Sequence, residues 1–247
     1  MNSVAIYHIG TSGWHYDVWR GRFYPPDLPK AEWLAFYSKH FSTVELNNTF
    51  YRLPSEDAFT NWYDSSPPRF TFALKASRFI THIKRLKDAA QPVDNFLKRA
   101  RLLKEKLGPI LYQLPPGMSC DDERLEAFLN LLTGDRKHVF EFRHPSWLDE
   151  NIYEILRRHN AGLCIYDMPA FTTPIVATAD FAYVRFHGSD GLYSGSYSDE
   201  QLAAWAKNIA ALSRKLREVY IYFNNDVAGY AIDNARTIRA FLEKETR

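Results

Sequence analysis

The 247-residue sequence predicts a single (β/α)8 TIM barrel, on three observations. Eight short runs rich in β-branched and aromatic residues alternate with longer segments of helical period. No linker or change of composition interrupts the alternation, so residues 1–247 read as one domain. An open doubly wound sheet is the competitor, but no glycine-rich phosphate turn of the GxGxxG or Walker type follows any run.

In order, the strands are "AIYHIGTS", "TVELN", "FTFALK", "GPILYQL", "HVFEF", "GLCIYD", "AYVRFH" and "EVYIYFN". Helices are expected near residues 29–40, 55–64, 92–107, 121–132, 148–160, 199–216 and 227–244, where apolar residues recur at helical spacing. In "KEKLGPI" and "NAGLCI", Gly108 and Gly162 are placed to end the preceding helix in the left-handed conformation. The sixth connection, residues 167–182, holds Pro169 and Pro174 and no helical stripe, so its helix is weak or missing.

Composition excludes several classes. Hydrophobic residues make up 46% and charged residues 24%, which is ordinary for a folded domain. A net charge of +2 gives no global attraction to a polyanion or an anionic membrane. Cys120 and Cys164 form neither a metal spacing nor a disulfide framework, which suits a reducing compartment. The N-terminus lacks a signal-peptide pattern, and no apolar run reaches the roughly 20 residues of a membrane span. A soluble cytoplasmic protein is expected, without a membrane partner.

Period two sorts the side chains of each strand between lumen and outer helices. With Phe140 and Phe142 outward, Glu141 and Arg143 face in. The same sorting turns Glu45 and Asn47, Lys75, and Arg185 and His187 inward, and extends to His8, Ser12, Gln113, Asp167 and Asn224. Most of these sit at C-terminal strand ends, the end that carries active sites in TIM barrels. A structural ion-pair stack is the plainer reading of such charges, but lining one mouth with so many ions favours function.

The segments "IGTSGWHYDVWRGRFYP", "TVELNNTFYRLP", "KASRFITHIKRL", "KLGPILYQLPP", "EFRHPSW", "YVRFHG" and "VYIYFNND" occur in this order across essentially the whole chain. In them the sequence resembles the YecE-like family, known as domain of unknown function 72. The resemblance implies a TIM barrel and supplies no reaction, so the chemistry rests on the residues.

The leading expectation is an enzyme doing hydrolase- or isomerase-type acid–base chemistry on a small molecule with a sugar or anionic group. Glu45 and Glu141, from opposite sides of the ring, would flank the substrate as acid and base, with His187 as proton shuttle. Lys75, Arg143 and Arg185 would bind an anion, helped by His82 in the basic loop "SRFITHIKRLK" and by backbone amides of the loops "HGSDG" and "NNDVAG". Ser12, Asn47, Gln113, Asp167 and Asn224 would position the ligand, and of the many rings on the mouth side Trp14 and Trp147 are the choices to face it.

A second reading is a nucleic-acid-binding or nucleic-acid-processing barrel, with basic loop on phosphates and rings on bases. A third is a non-catalytic metabolite scaffold. No cofactor motif is present, and a divalent metal on Glu45, Glu141, Asp167, His144 and His187 lacks the support of an HxH or HxxxH spacing. Covalent catalysis is set aside, because Ser12 lacks a GxSxG elbow and Cys164 has outward parity.

Overall fold

The computed structural model describes residues 5–132, 134, 136–169, 171–191 and 193–246. Among the described residues nine strands are present: β1 (Ile6–Thr11), β2 (Thr43–Leu46), β3 (Thr71–Lys75), β4 (Leu107–Gln113), β5 (His138–Glu141), β6 (Gly162–Met168), β7 (Phe171–Thr172), β8 (Phe181–Phe186) and β9 (Glu218–Phe223). All but β7 run parallel in the order β1-β9-β8-β6-β5-β4-β3-β2, a nearly closed barrel. The remaining gap, between β1 and β2, is joined by a single parallel bridge from Ser12 to Glu45.

That seam has its own seal. The Tyr37 hydroxyl accepts from the Thr11 amide at 3.0 Å and donates to the Thr43 carbonyl at 3.1 Å, supplying what a missing ladder bond would. Gly10 makes the approach feasible, since a Cβ there would lie 2.2 Å from the Thr43 oxygen.

Outside the barrel lie α1 (Trp33–Tyr37), α2 (Asn48–Tyr51), α3 (Glu56–Asp64), α4 (Ala90–Ala100), α5 (Asp122–Leu129), α6 (Glu150–Arg158), α7 (Asp199–Ser213) and α8 (Tyr230–Glu245). The helix starts follow local chemistry. Ser55, Asp121 and Asp149 cap α3, α5 and α6, and Ser198 with Gln201 forms a reciprocal capping box on α7. Among the described residues the sixth connection has no helix; β6 runs to Met168, which pairs antiparallel with the two-residue β7. Short elements that were not expected include β7, α2 and a π-helical turn at Phe79–Ile83 inside the basic loop.

Gly108 and Gly162 do not take left-handed conformations. The left-handed residues before β4 and β6 are Lys104 (φ 51°) and Asn160 (φ 47°). The glycines are needed for closeness instead: a Cβ on Gly108 would lie 2.6 Å from Thr71 Cγ2, and one on Gly162 3.1 Å from the Phe181 ring.

Two apolar layers result. Outward residues such as Val44, Phe72, Phe140, Val184 and Ile221 pack under the helices. Ala73, Leu111, Val139, Cys164, Phe181, Tyr183, Tyr220 and Tyr222 fill the lumen. Cys164 therefore faces inward and Asp167 does not, the reverse of the expected parity. In "GLCIYDM" both faces are largely apolar, so alternation alone could not choose between them.

Candidate functional site at the barrel mouth

Above the apolar lumen lies a layer of buried ions. Arg185, 1% exposed, extends from β8 across the axis, donating from Nη2 to Glu45 Oε1 at 2.8 Å and from Nη1 to Glu141 Oε2 at 2.6 Å. Glu45 also accepts from Tyr183 at 2.6 Å and from Ser12, whose oxygen accepts from Asn47 Nδ2 at 2.8 Å. Glu141 also accepts from Gln113 Nε2 and Arg143 Nε, both at 2.5 Å. Burial alone would raise the Glu141 carboxyl, but Arg143 and Arg185 outweigh it and hold it well below the usual carboxylate range.

This arrangement differs from the one expected of the two acids. An arginine, not a ligand-sized gap, separates Glu45 from Glu141, and both carboxylates are fully hydrogen-bonded. The layer is a platform rather than an acid–base pair. His187 sits on it, with Arg143 Nη2 donating to its Nε2 at 3.0 Å and the Asn224 amide 3.2 Å from its Nδ1. Burial, and then Arg185, push the imidazole well below its ordinary range, so it is neutral and its acceptor nitrogen is taken. That argues against a shuttle.

Other expected residues lie elsewhere. Asp167 accepts from Thr172 at 2.5 Å in the β6–β7 hairpin. Trp147, 0% exposed, stacks on Phe142 at 4.8 Å and donates to the Met118 carbonyl, while buried Trp14 packs edge-on against Trp62. Both are core rings. Among the described residues no three His, Cys, Asp or Glu side chains converge as metal ligands; Glu45 and Glu141 are engaged by Arg185, and Asp167 lies in the hairpin with Thr172. Of the amides in the two loops expected to cradle phosphate, those of Gly188 and Gly229 are bonded within their own loops.

What opens to solvent above the platform are two adjoining cavities that share Tyr193. The first, about 430 Å³, is lined by Tyr16, Val18, Asn47, Tyr51, Lys75, Tyr193, Asn224, Asp226 and Val227. Lys75 is 9% exposed, with its ammonium 4.2 Å above the Phe50 ring and no carboxylate within ion-pair distance among the described residues. Burial and the charge of Arg185 bring it down to about 8.

Asp226 was missed. It is half-buried, yet its Oδ1 is shut from solvent and has no partner among the described residues. Burial drives its carboxyl up to about 8, with Glu45 adding to the rise and Tyr16 and Arg185 opposing it. Its backbone is fixed by Trp19 Nε1, which donates to its carbonyl at 3.2 Å. The signal was present, since Asp226 continues the inward parity of Tyr222 and Asn224.

The second cavity, about 420 Å³, includes His82, Gln113, Leu114, Arg143, His144, Pro145, Leu148, Tyr166, Met168, Phe171 and Tyr193 among its walls. His82 is the part of the basic loop that reaches it, while Arg78, Arg85 and Lys87 face solvent. No helix among the described residues is long and apolar enough to cross a membrane.

Known proteins share this whole barrel. The chain is 28% identical to the UPF0759 protein YunF of Bacillus subtilis, over 96% of this chain and 95% of that protein. It is 26% identical to YecE of Escherichia coli K12, over 72% and 74%. A crystal structure of a DUF72 family protein from Thermotoga maritima superposes with a TM-score of 0.86 at 32% identity, covering 96% of this chain and 99% of that one. The family model described as "Protein of unknown function DUF72" matches residues 8–247, and the chain belongs to that family.

Proposed function

We propose that this chain is an enzyme doing acid–base chemistry on a small molecule with a sugar or phosphate group, bound at the C-terminal mouth of the barrel. One observation carries the reading: Lys75 and Asp226, from different strand ends, converge on one cavity, and both are shifted toward neutrality. At pH 7 Asp226 holds a proton it can give, and Lys75 keeps most of its charge for an anionic or hydroxyl group. Asn47 and Asn224 orient the ligand from the cavity floor. The Glu45–Arg185–Glu141 platform holds these groups in place from below.

The test is a turnover screen of sugar phosphates and glycosides followed by NMR, repeated with Asp226→Asn and Lys75→Met. Asp226→Asn is expected to lower kcat about 100-fold or more, as loss of a general acid does. Lys75→Met should act mainly on KM. Activity should fall as pH rises through about 8, because Asp226 then loses its proton and Lys75 its charge. Full activity in folded Asp226→Asn would overturn the proposal.

The same group carries a stability signature. Its folded pKa of about 8 lies above its ordinary 3.8, so the folded state holds an extra proton between those values and loses stability as pH rises through them. Asp226→Asn should therefore be the more stable protein at pH 8, by up to about 5 kcal/mol at about 1.4 kcal/mol per unit of the rise, and nearly equal to the parent at pH 4.

A further inference from the structure

The second cavity differs in chemistry from the first, and the acid–base reading does not use it. Leu114, Pro145, Leu148, Tyr166, Met168 and Phe171 give it apolar walls. Its volume alone is enough for a ring system, since small-molecule sites run from roughly 300 to 1,000 Å³.

Its polar groups are His82, Gln113, His144 and Arg143, of which Arg143 is the one permanent charge, and a count of its donors shows what it offers. A guanidinium has five N–H bonds. Nε donates to Glu141 at 2.5 Å, and Nη2 serves Glu141 and, at 3.0 Å, His187 Nε2. Nη1 donates to the Met168 sulfur at 3.1 Å, a weak acceptor. One Nη1 proton is left unassigned among the described residues. The group lies 4.5 Å over the Tyr166 ring and is pinned by Glu141, so its free edge is fixed in direction. It can only donate, which selects an acceptor on the ligand.

The two cavities meet at Tyr193, which lines both and is 41% exposed. Its amide donates to the His187 carbonyl at 2.6 Å and its ring meets the His187 edge at 5.6 Å, so it stands above the centre of the mouth.

We propose that the mouth takes a two-part ligand: a planar ring bearing a hydrogen-bond acceptor sits in the Arg143–Tyr166 lobe, joined past Tyr193 to the hydroxylated or anionic group held by the Lys75–Asp226 lobe. The polar half of this assignment rests on the function proposed above. The ring lobe is the specificity-determining part, because apolar walls discriminate by shape and the pinned guanidinium by acceptor position.

Calorimetric titration with 4-nitrophenyl phosphate, 4-nitrophenol and inorganic phosphate tests both halves, with melting curves to check folding. The joined probe should bind at least about tenfold more tightly than either part, because tethering makes the second contact intramolecular. Phe171→Ser, which opens the ring lobe, and Leu148→Trp, which fills it, should each abolish nitrophenol binding and reduce the joined probe to the affinity of phosphate. Lys75→Met should weaken phosphate and the joined probe and spare nitrophenol. Nitrophenol binding that ignores both ring-lobe variants, or a joined probe no tighter than phosphate, overturns the two-part ligand and leaves the acid–base reading standing. Phosphate binding that Lys75→Met does not weaken overturns the polar half, and with it that reading.

Discussion

At the residue scale, Arg185 decides what the charged layer is. Two carboxylates, each 0% exposed, face one guanidinium, and desolvation of three ions is tolerable only because nearly every lone pair is met. Arg185→Met should therefore destabilise the protein by about 3–5 kcal/mol in chemical denaturation, since it leaves buried Glu45 without a counter-ion and Glu141 with Arg143 alone. Adding Glu45→Gln and Glu141→Gln to that variant should recover much of the loss; failure to recover any would mean that the guanidinium's packing, not its charge, matters. Alternation in "TVELN", "HVFEF" and "AYVRFH" was enough to place these three groups in the lumen. It could not reveal that they meet each other, because lateral pairing depends on strand stagger, which period two does not encode.

At the scale of elements, strands were legible and loops were not. Each barrel strand begins and ends within a residue or so of its expected run, because β-branched and aromatic residues fit a surface buried on both faces. The π-helical turn at Phe79–Ile83 and the β6–β7 hairpin depend on what the rest of the barrel leaves open for them. The loop after β8 is the most consequential. Gly188 has φ 114°, and a Cβ there would lie 2.0 Å from the Ser194 carbonyl oxygen. Gly188→Ala should cost roughly 2 kcal/mol, visible as a lower Tm, and should weaken any mouth ligand by displacing Tyr193. Unchanged ligand affinity in that variant would show that Tyr193 keeps its place without the turn. Rings were the least legible class. Trp14 and Trp147 carried the same sequence signal as Tyr51 and Tyr193, and only the packing separates core from rim.

For the whole molecule, the β1–β2 seam is the weak point of the barrel. Tyr37→Phe removes the hydroxyl that serves both the Thr11 amide and the Thr43 carbonyl, and should destabilise the protein by about 1–3 kcal/mol. Hydrogen exchange should then speed up along the facing edges of β1 and β2 more than between β8 and β9, where six residues on each strand are paired. Uniform acceleration would place the seam within a single cooperative unit instead. The one backbone bridge across this seam joins Ser12 to Glu45, and Glu45 is also held by Arg185. Ring closure and charge burial are therefore one event. A chain emerging during synthesis carries β1 and β2 long before β8 delivers its guanidinium, so until then the edges of β1 and β2 are without this closure and Glu45 without its partner. In that interval the negative charge that the finished barrel hides would count against edge-to-edge pairing with a neighbouring chain.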